Sequence, residues 1–186
     1  MQIRASAFLN SVRFVRERYG ADAHERVLKA LGAARSPSFH GPLRDSAWKP
    51  LAELVDYLET ARALLAPEDP GFFRAAGVDA GLETAQSGFR FLLGSDPLAA
   101  VRRAAFMWRF FYDSGKLEVV QIEERELVFR LLDLVPPSRA WCERIEGFLE
   151  GCLTAVGLQA VEVRERNCRL RGHVCCEMHV RWGASA

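Results

Sequence analysis

The spacing of hydrophobic residues divides the chain into two parts. Up to about residue 115, apolar side chains recur at intervals of three and four, which is typical of amphipathic helices. The apolar positions of these predicted helices include Phe8, Val12, Val15, Val27, Leu31, Leu51, Leu54, Leu58, Val101 and Trp108. Shorter helical pieces are predicted near residues 72–76 and 82–93, and residues 33–47 are predicted to form a surface loop because they contain prolines and glycines.

After Gly115 the hydrophobic period changes from about four residues to two, which indicates strands. Four strands are expected, at 116–122, 126–134, 159–167 and 173–182. Each pair forms a hairpin, and a helix over 138–156 joins the hairpins. We therefore predict a single α+β domain, 1–186. Its helical part, 1–115, packs on a four-stranded antiparallel sheet in the part 116–186, in the chain order β-β-α-β-β.

Composition and charge narrow the possible functions. The 186 residues carry a formal net charge of +1, so there is no electrostatic case for a nucleic-acid partner. No apolar run reaches the ~18 residues of a membrane span. The N-terminus lacks the pattern of a signal peptide, so a cytoplasmic location is expected. In that compartment the five cysteines are expected to be core residues, metal ligands or reactive thiols rather than disulfides.

Motifs for catalysis are missing from the sequence. It contains no Gly-x-Ser-x-Gly elbow, and Gly77, Gly81 and Gly88 do not form a phosphate-binding loop. We therefore predict that the protein is not an enzyme.

The helix that ends near residue 112 carries aromatic residues pointing in several directions, so we expect it to be buried nearly all round. Such a helix is typical either of an ordinary core or of the wall of a ligand cavity. For a cavity, a volume of roughly 300–1,000 Å³ is expected. Trp108, Phe111 and Tyr112 are the predicted ligand contacts, and Arg109, with Lys116, is a candidate for an anionic ligand.

Three segments of the C-terminal half resemble a known family. They are Phe111-Tyr112-Asp113-Ser114-Gly115-Lys116-Leu117-Glu118-Val119-Val120, Trp141-Cys142-Glu143-Arg144 and Cys168-Arg169-Leu170-Arg171-Gly172-His173-Val174-Cys175-Cys176-Glu177. Together they resemble a myxobacterial paralogous family of unknown function and the four-vinyl-reductase domain. That domain belongs to a superfamily shared with haem nitric-oxide-binding domains and TRAPP vesicle-tethering subunits. The resemblance implies a cavity between helices and sheet, used elsewhere for small or lipidic ligands, and a homodimer.

Haem is not expected from the sequence. Tyr112-x-Ser114-x-Lys116 is similar to the Tyr-x-Ser-x-Arg motif with which haem nitric-oxide sensors hold haem propionates, but lysine replaces the bidentate arginine. Those sensors also ligate iron through a histidine upstream of this motif. Here no histidine lies between His40 and His173, so we predict no haem.

A metal site is implied by the same resemblance. Cys142, Glu165, Cys168 and Cys176 follow the spacing Cys-x22-Glu-x2-Cys-x7-Cys, which resembles the structural zinc site of four-vinyl-reductase domains in bacterial activators that sense aromatic compounds. Strand parity agrees, because it places Cys176 with Val174 and Met178 on the buried face and turns Glu165 inward. The alternative is that the cysteines are ordinary buried residues.

The sequence therefore predicts a stand-alone sensory or regulatory module. It would bind a small, mostly apolar ligand, form a homodimer and contain a possible structural zinc ion. The alternative is a protein-interaction module similar to TRAPP subunits, whose cavity is filled by side chains and which binds no small molecule.

Overall fold

Helices occupy most of the N-terminal part of the chain and a sheet the C-terminal part, in a computed structural model that describes residues 1–86, 97–134 and 138–183. The helices are α1 (Ser6–Tyr19), α2 (Ala23–Leu31), α3 (Leu51–Leu65), α4 (Phe72–Gln86), α5 (Pro97–Phe111) and α6 (Arg139–Ala155). The strands are β1 (Gln2–Arg4), β2 (Trp48–Pro50), β3 (Lys116–Ile122), β4 (Glu126–Leu132), β5 (Glu162–Asn167) and β6 (Cys176–Arg181). The predicted α+β class is confirmed.

The main sheet is antiparallel and has the order β3-β4-β6-β5. Both hairpins pair in an antiparallel way, with Leu117 opposite Leu131 in the first and Val163 opposite Val180 in the second. The second hairpin joins the first through β6, which pairs with β4. An additional antiparallel pair, β1 with β2, was not expected, because three-residue strands are too short to show a period.

The second hairpin is shorter than predicted. Its turn contains a single 3₁₀ turn, Arg169–Arg171, and Gly172 at a positive φ of 84°, so β6 begins only at Cys176. Val174, which strand parity assigned to the buried face, is 90% exposed because it precedes the strand. Within the strand the parity holds, since Cys176, Met178 and Val180 are all buried.

Two helices approach each other closely because glycines lie at their interface. These glycines are Gly77 and Gly81 in α4, and Gly147 and Gly151 in α6. A Cβ atom at Gly147 would lie 2.0 Å from the carbonyl oxygen of Arg74, and one at Gly77 would lie 2.1 Å from that of Arg144. Real Cβ atoms do not come this close, so the helix backbones are in direct contact and tolerate no side chain here.

The helices differ from the predicted ones mainly in extent. α4 continues unbroken from Phe72 to Gln86, where two shorter pieces were expected. The rest of the predicted piece 82–93 lies outside the described residues. No helix in the described ranges is both long and apolar enough to cross a membrane.

α5 is not buried nearly all round, in contrast to the prediction. Val101, Met107 and Trp108 face the core, whereas Phe106 and Phe110 are 61% and 40% exposed. These two phenylalanines are four residues apart, so they share one face of the helix, and their rings contact each other edge to face at 5.4 Å. Several aromatic residues on a helix therefore do not by themselves indicate complete burial.

Candidate functional site

The four residues of the predicted metal site come together from three places in the chain. Cys142 lies in the first turn of α6, Glu165 in β5, Cys168 just after β5 and Cys176 at the start of β6. One ligand atom from each residue lies within 4.8 Å of the others. Ser138 starts α6 by accepting a hydrogen bond from the backbone N–H of Trp141, at 3.1 Å, and this cap holds the first turn beside the sheet.

Glu165 is the only carboxylate of this cluster, and its side chain is only 1% exposed. Its Oε2 accepts a hydrogen bond from Nη1 of Arg139 at 3.0 Å. Its Oε1 is buried and has no hydrogen-bond partner among the described residues. A buried carboxylate oxygen without a partner is costly, and a cation would satisfy it.

Hydrogen bonds within the cluster favour a thiolate at one of the three cysteines, Cys176. The Cys142 thiol donates a hydrogen bond to Cys176, which lowers the pKa of Cys176 to about 7 and raises the pKa of Cys142. The backbone N–H of Arg169 donates to Sγ of Cys176 at 3.5 Å, which also favours a thiolate there. Burial raises the pKa of Cys168. Three thiols and one carboxylate are a suitable donor set for tetrahedral Zn²⁺.

A second candidate site is a cavity of about 80 Å³ between the helices and the sheet. Its lining comes from the start of the chain and from α1, α4, α5, α6 and β3. It includes Ile3, Ala7, Asn10, Ala80, Thr84, Met107, Trp108, Phe111, Tyr112, Leu117, Arg144, Ile145, Phe148, Leu149 and Cys152. The cavity is smaller than the range expected for a ligand pocket, because large aromatic and aliphatic side chains fill much of the space.

Three of the four predicted ligand contacts, Trp108, Phe111 and Tyr112, line this cavity. Trp108 stacks on Tyr112 with ring centroids 4.0 Å apart. The fourth, Arg109, is exposed and is not among the described lining residues. Lys116 also points to solvent, where it pairs with Glu118.

Arg144 is a lining residue that sequence reasoning missed. It is 3% exposed, and its Nε has no hydrogen-bond partner in the described part of the chain. Its position was deducible, because Arg144 lies three residues after Trp141 and four before Phe148, on the apolar face of the helix. A charged residue within an apolar stripe was therefore the available signal.

Tyr112 and Cys152, two other polar residues of the lining, have hydrogen-bond partners within the protein. Nε1 of Trp141 donates to the hydroxyl oxygen of Tyr112 at 3.3 Å. The Cys152 thiol donates to the carbonyl oxygen of Gly81 at 3.6 Å, and burial raises the pKa of Cys152 to about 12. Such a thiol stays protonated at neutral pH and is a poor nucleophile.

Known proteins resemble this chain in fold. No protein-family model and no curated protein match this sequence. A solved H-NOX protein from S. oneidensis, in its Fe(II)NO state, matches with a TM-score of 0.76 at 11% identity, covering 98% of this chain and 100% of that one. The chain has the H-NOX fold. An unliganded Fe(II) H-NOX variant from K. algicida gives a TM-score of 0.67 at 11% identity, with coverages of 98% and 97%.

A further neighbour comes from work on haem distortion in the H-NOX family, with a TM-score of 0.72 at 10% identity and coverages of 99% and 97%. At such identities the likeness is one of fold. The expected likeness to haem nitric-oxide-binding domains is thus confirmed for the fold alone. The likeness to the four-vinyl-reductase domain and to the myxobacterial family stays a prediction.

The H-NOX neighbours overturn the prediction that haem is excluded. That prediction depended on the missing histidine and on Lys116 in place of the motif's arginine. Cysteine, methionine and tyrosine also ligate haem iron in proteins, and Met107, Tyr112 and Cys152 line this cavity. Met107 could ligate iron as a thioether, whereas Tyr112 and Cys152 would ligate it only after losing a proton that burial makes them hold. A cavity of about 80 Å³ would enclose a porphyrin only after its lining side chains moved.

Proposed function

We propose that this protein is a sensory module that binds a small, mostly apolar ligand in the cavity beside α5. The observation that carries the proposal is an apolar cavity, lined by Trp108, Phe111 and Tyr112, inside a fold shared with H-NOX proteins. Apolar pockets with a few polar groups are the usual form of small-molecule sites. Ligand binding would stabilise the packing of α5 against α6, and this change is the signal that a partner could detect.

The function we propose is binding rather than catalysis. The cavity's thiol, Cys152, is held protonated by burial and already donates a hydrogen bond. Arg144 has a charge but no proton to exchange at neutral pH. Haem is one candidate occupant, with Met107, Tyr112 and Cys152 as the residues that would meet its iron, and it would supply a site for diatomic gases.

We propose further that Cys142, Glu165, Cys168 and Cys176 hold a structural zinc ion. Their spacing resembles the four-vinyl-reductase pattern, and their ligand atoms are within 4.8 Å of one another. With four protein ligands the ion would have no open position for a substrate, so its role would be to join the second hairpin to α6.

A second candidate function is the interaction module. The small volume of the cavity favours it, as does the exposed pair Phe106 and Phe110 on α5. Exposed aromatic residues of this kind are enriched at protein interfaces. In this alternative a homodimer would form through that face of α5, and the cavity would bind nothing.

Calorimetric titration distinguishes the two functions. Wild-type protein is titrated with small aromatic alcohols, and haem is added separately and followed by its Soret band. Ala7→Leu fills the cavity, because Ala7 lines it and the substitution adds three carbon atoms. Ala52→Leu is the matched control at an exposed position of α3.

We expect wild type and Ala52→Leu to bind at least one of these compounds, and Ala7→Leu to lose at least tenfold in affinity while remaining folded. A Soret band that is lost only in Ala7→Leu would identify haem as the occupant. If Ala7→Leu binds as well as wild type, or wild type binds none of the compounds, the interaction module replaces the sensor.

A further inference from the structure

Among the described residues, the buried guanidinium of Arg144 has no ion-pair partner, and it lies at a cavity with a mostly apolar lining. Arg144 is 3% exposed, and its Nε has no hydrogen-bond partner within the described residues. The lining residues that follow it in α6 include Ile145, Phe148 and Leu149, whose side chains cannot accept a hydrogen bond, while Ser6, Asn10 and Thr84 are polar residues elsewhere in the lining.

Arginine cannot relieve this situation by losing its proton, because its pKa lies above about 12 even in proteins. Burial lowers the pKa of Arg144, but the group stays charged at neutral pH. An isolated buried charge is strongly destabilising unless an opposite charge or several hydrogen bonds compensate it.

The two groups that act on the charge of Arg144, Asp79 and Tyr112, compensate it only in part, because neither forms a hydrogen bond or ion pair with it. Asp79 contributes to its electrostatic environment, but Oδ2 of Asp79 is bound by Nη2 of Arg13 at 2.7 Å. The other contributor is Tyr112, whose pKa is raised by burial, so that its hydroxyl stays protonated and neutral.

Tyr112 adds a second donor to the same cavity. Its hydroxyl oxygen accepts a hydrogen bond from Nε1 of Trp141. Within the described residues, its own O–H has no acceptor. An anionic oxygen in the cavity could therefore accept hydrogen bonds from both Arg144 and Tyr112, which is the arrangement that binds a carboxylate.

We propose that the ligand of this cavity is a monocarboxylate with an apolar body, held at its carboxylate by Arg144 and Tyr112. The inference rests on the proposed sensory function and names its ligand class. One guanidinium matches one negative charge, so a single carboxylate is favoured over a doubly charged phosphate. The apolar body would lie against Trp108, Phe111 and Phe148, and the volume of about 80 Å³ favours a compact one.

The test compares two compounds of similar shape and different charge, benzoate and benzyl alcohol. Each is titrated calorimetrically into the full-length wild-type protein and into Arg144→Met, which keeps the length of the side chain and removes its charge. Arg102→Met is the control, because Arg102 lies exposed on α5 and its loss changes the net charge equally.

We expect wild type to bind benzoate roughly 10- to 100-fold more tightly than benzyl alcohol, as is usual for hydrogen bonds to a charged group. Arg144→Met should lose this preference, and Arg102→Met should keep it. Tyr112→Phe should weaken benzoate binding several-fold and leave benzyl alcohol unaffected. Without ligand, Arg144→Met should melt no lower than wild type, since it removes a buried charge that has no ion-pair partner among the described residues.

The ratio in wild type tests the inference even if Arg144→Met does not fold. If wild type binds benzyl alcohol as tightly as benzoate, the ligand class is wrong while the cavity remains a binding site. If wild type binds neither compound nor any small aromatic alcohol, the sensory function itself is wrong. If Arg144→Met folds and retains the preference for benzoate, Arg144 is not the anchor.

Discussion

The two candidate sites contain buried charged groups of opposite sign. In the described part of the chain, two buried side-chain polar atoms lack a hydrogen-bond partner, Oε1 of Glu165 and Nε of Arg144. The first is an anion among thiols, where a cation would satisfy it. The second is a cation among apolar side chains, where an anion would satisfy it. Each orphaned atom thus identifies the charge of the group that its site would bind.

The sites also differ in how the fold builds them. Most of the cysteine cluster comes from one hairpin, over residues 165–176, and α6 supplies the last ligand. The cavity depends instead on how separate helices pack, because its lining comes from α1, α4, α5 and α6. Helix α6 contributes to both, with Cys142 on the side of the cluster and Arg144 on the side of the cavity. Ligands that lie close together in the chain, as in the cluster, produce a recognisable spacing in the sequence. A cavity formed by the packing of separate helices does not.

The largest effect is expected from removing a ligand of the cluster. Cys168→Ser should lose bound zinc and more than about 3 kcal/mol in the free energy of unfolding, because metal binding contributes directly to folding. Metal analysis and chemical denaturation measure both quantities. Cys175→Ser is the control, since Cys175 is adjacent to Cys176 but outside the cluster. Equal stability of the two variants would reduce the cluster to core cysteines.

The next effect concerns the contact between α4 and α6. Gly147→Ala should cost roughly 1–3 kcal/mol, because the new methyl group overlaps the carbonyl oxygen of Arg74 and the helices must separate. Ala80 of α4 lines the cavity, so affinity for benzoate should also fall. Zinc should remain at one equivalent.

Gly41→Ala is the control, because a Cβ atom at Gly41 meets open space. Equal melting temperatures of Gly147→Ala and Gly41→Ala would contradict the close contact between α4 and α6.

The smallest effect is expected at the start of α6. Ser138→Ala removes the cap of the first turn and should cost about 1 kcal/mol in thermal or chemical unfolding. Since Cys142 lies in that turn, zinc affinity should fall more than affinity for benzoate. Ser46→Ala, in an exposed turn, is the control. A larger loss at the cavity than at the cluster would mean that α6 does not separate the two sites.

The sequence predicted those features of the fold that depend on the local period and spacing of residues. The strands and the α6 helix follow from periods of two and four. The four residues of the cluster were implied by the resemblance to the four-vinyl-reductase domain, and strand parity agreed with it. Gly147 and Arg144 were not predicted, because their roles arise from contacts with other helices. The haem prediction was wrong for another reason: it required a histidine ligand and the motif's arginine, and it did not consider Met107, Tyr112 or Cys152 as iron ligands.

Native mass spectrometry of the full-length protein tests both sites at once. Wild type, purified without chelator and incubated with benzoate, should carry one zinc ion and one benzoate. Cys168→Ser should lose the zinc and keep the benzoate, whereas Arg144→Met should lose the benzoate and keep the zinc. Wild type without zinc and without benzoate, or a pair of variants that lose the same group, would contradict the account of two sites of opposite charge.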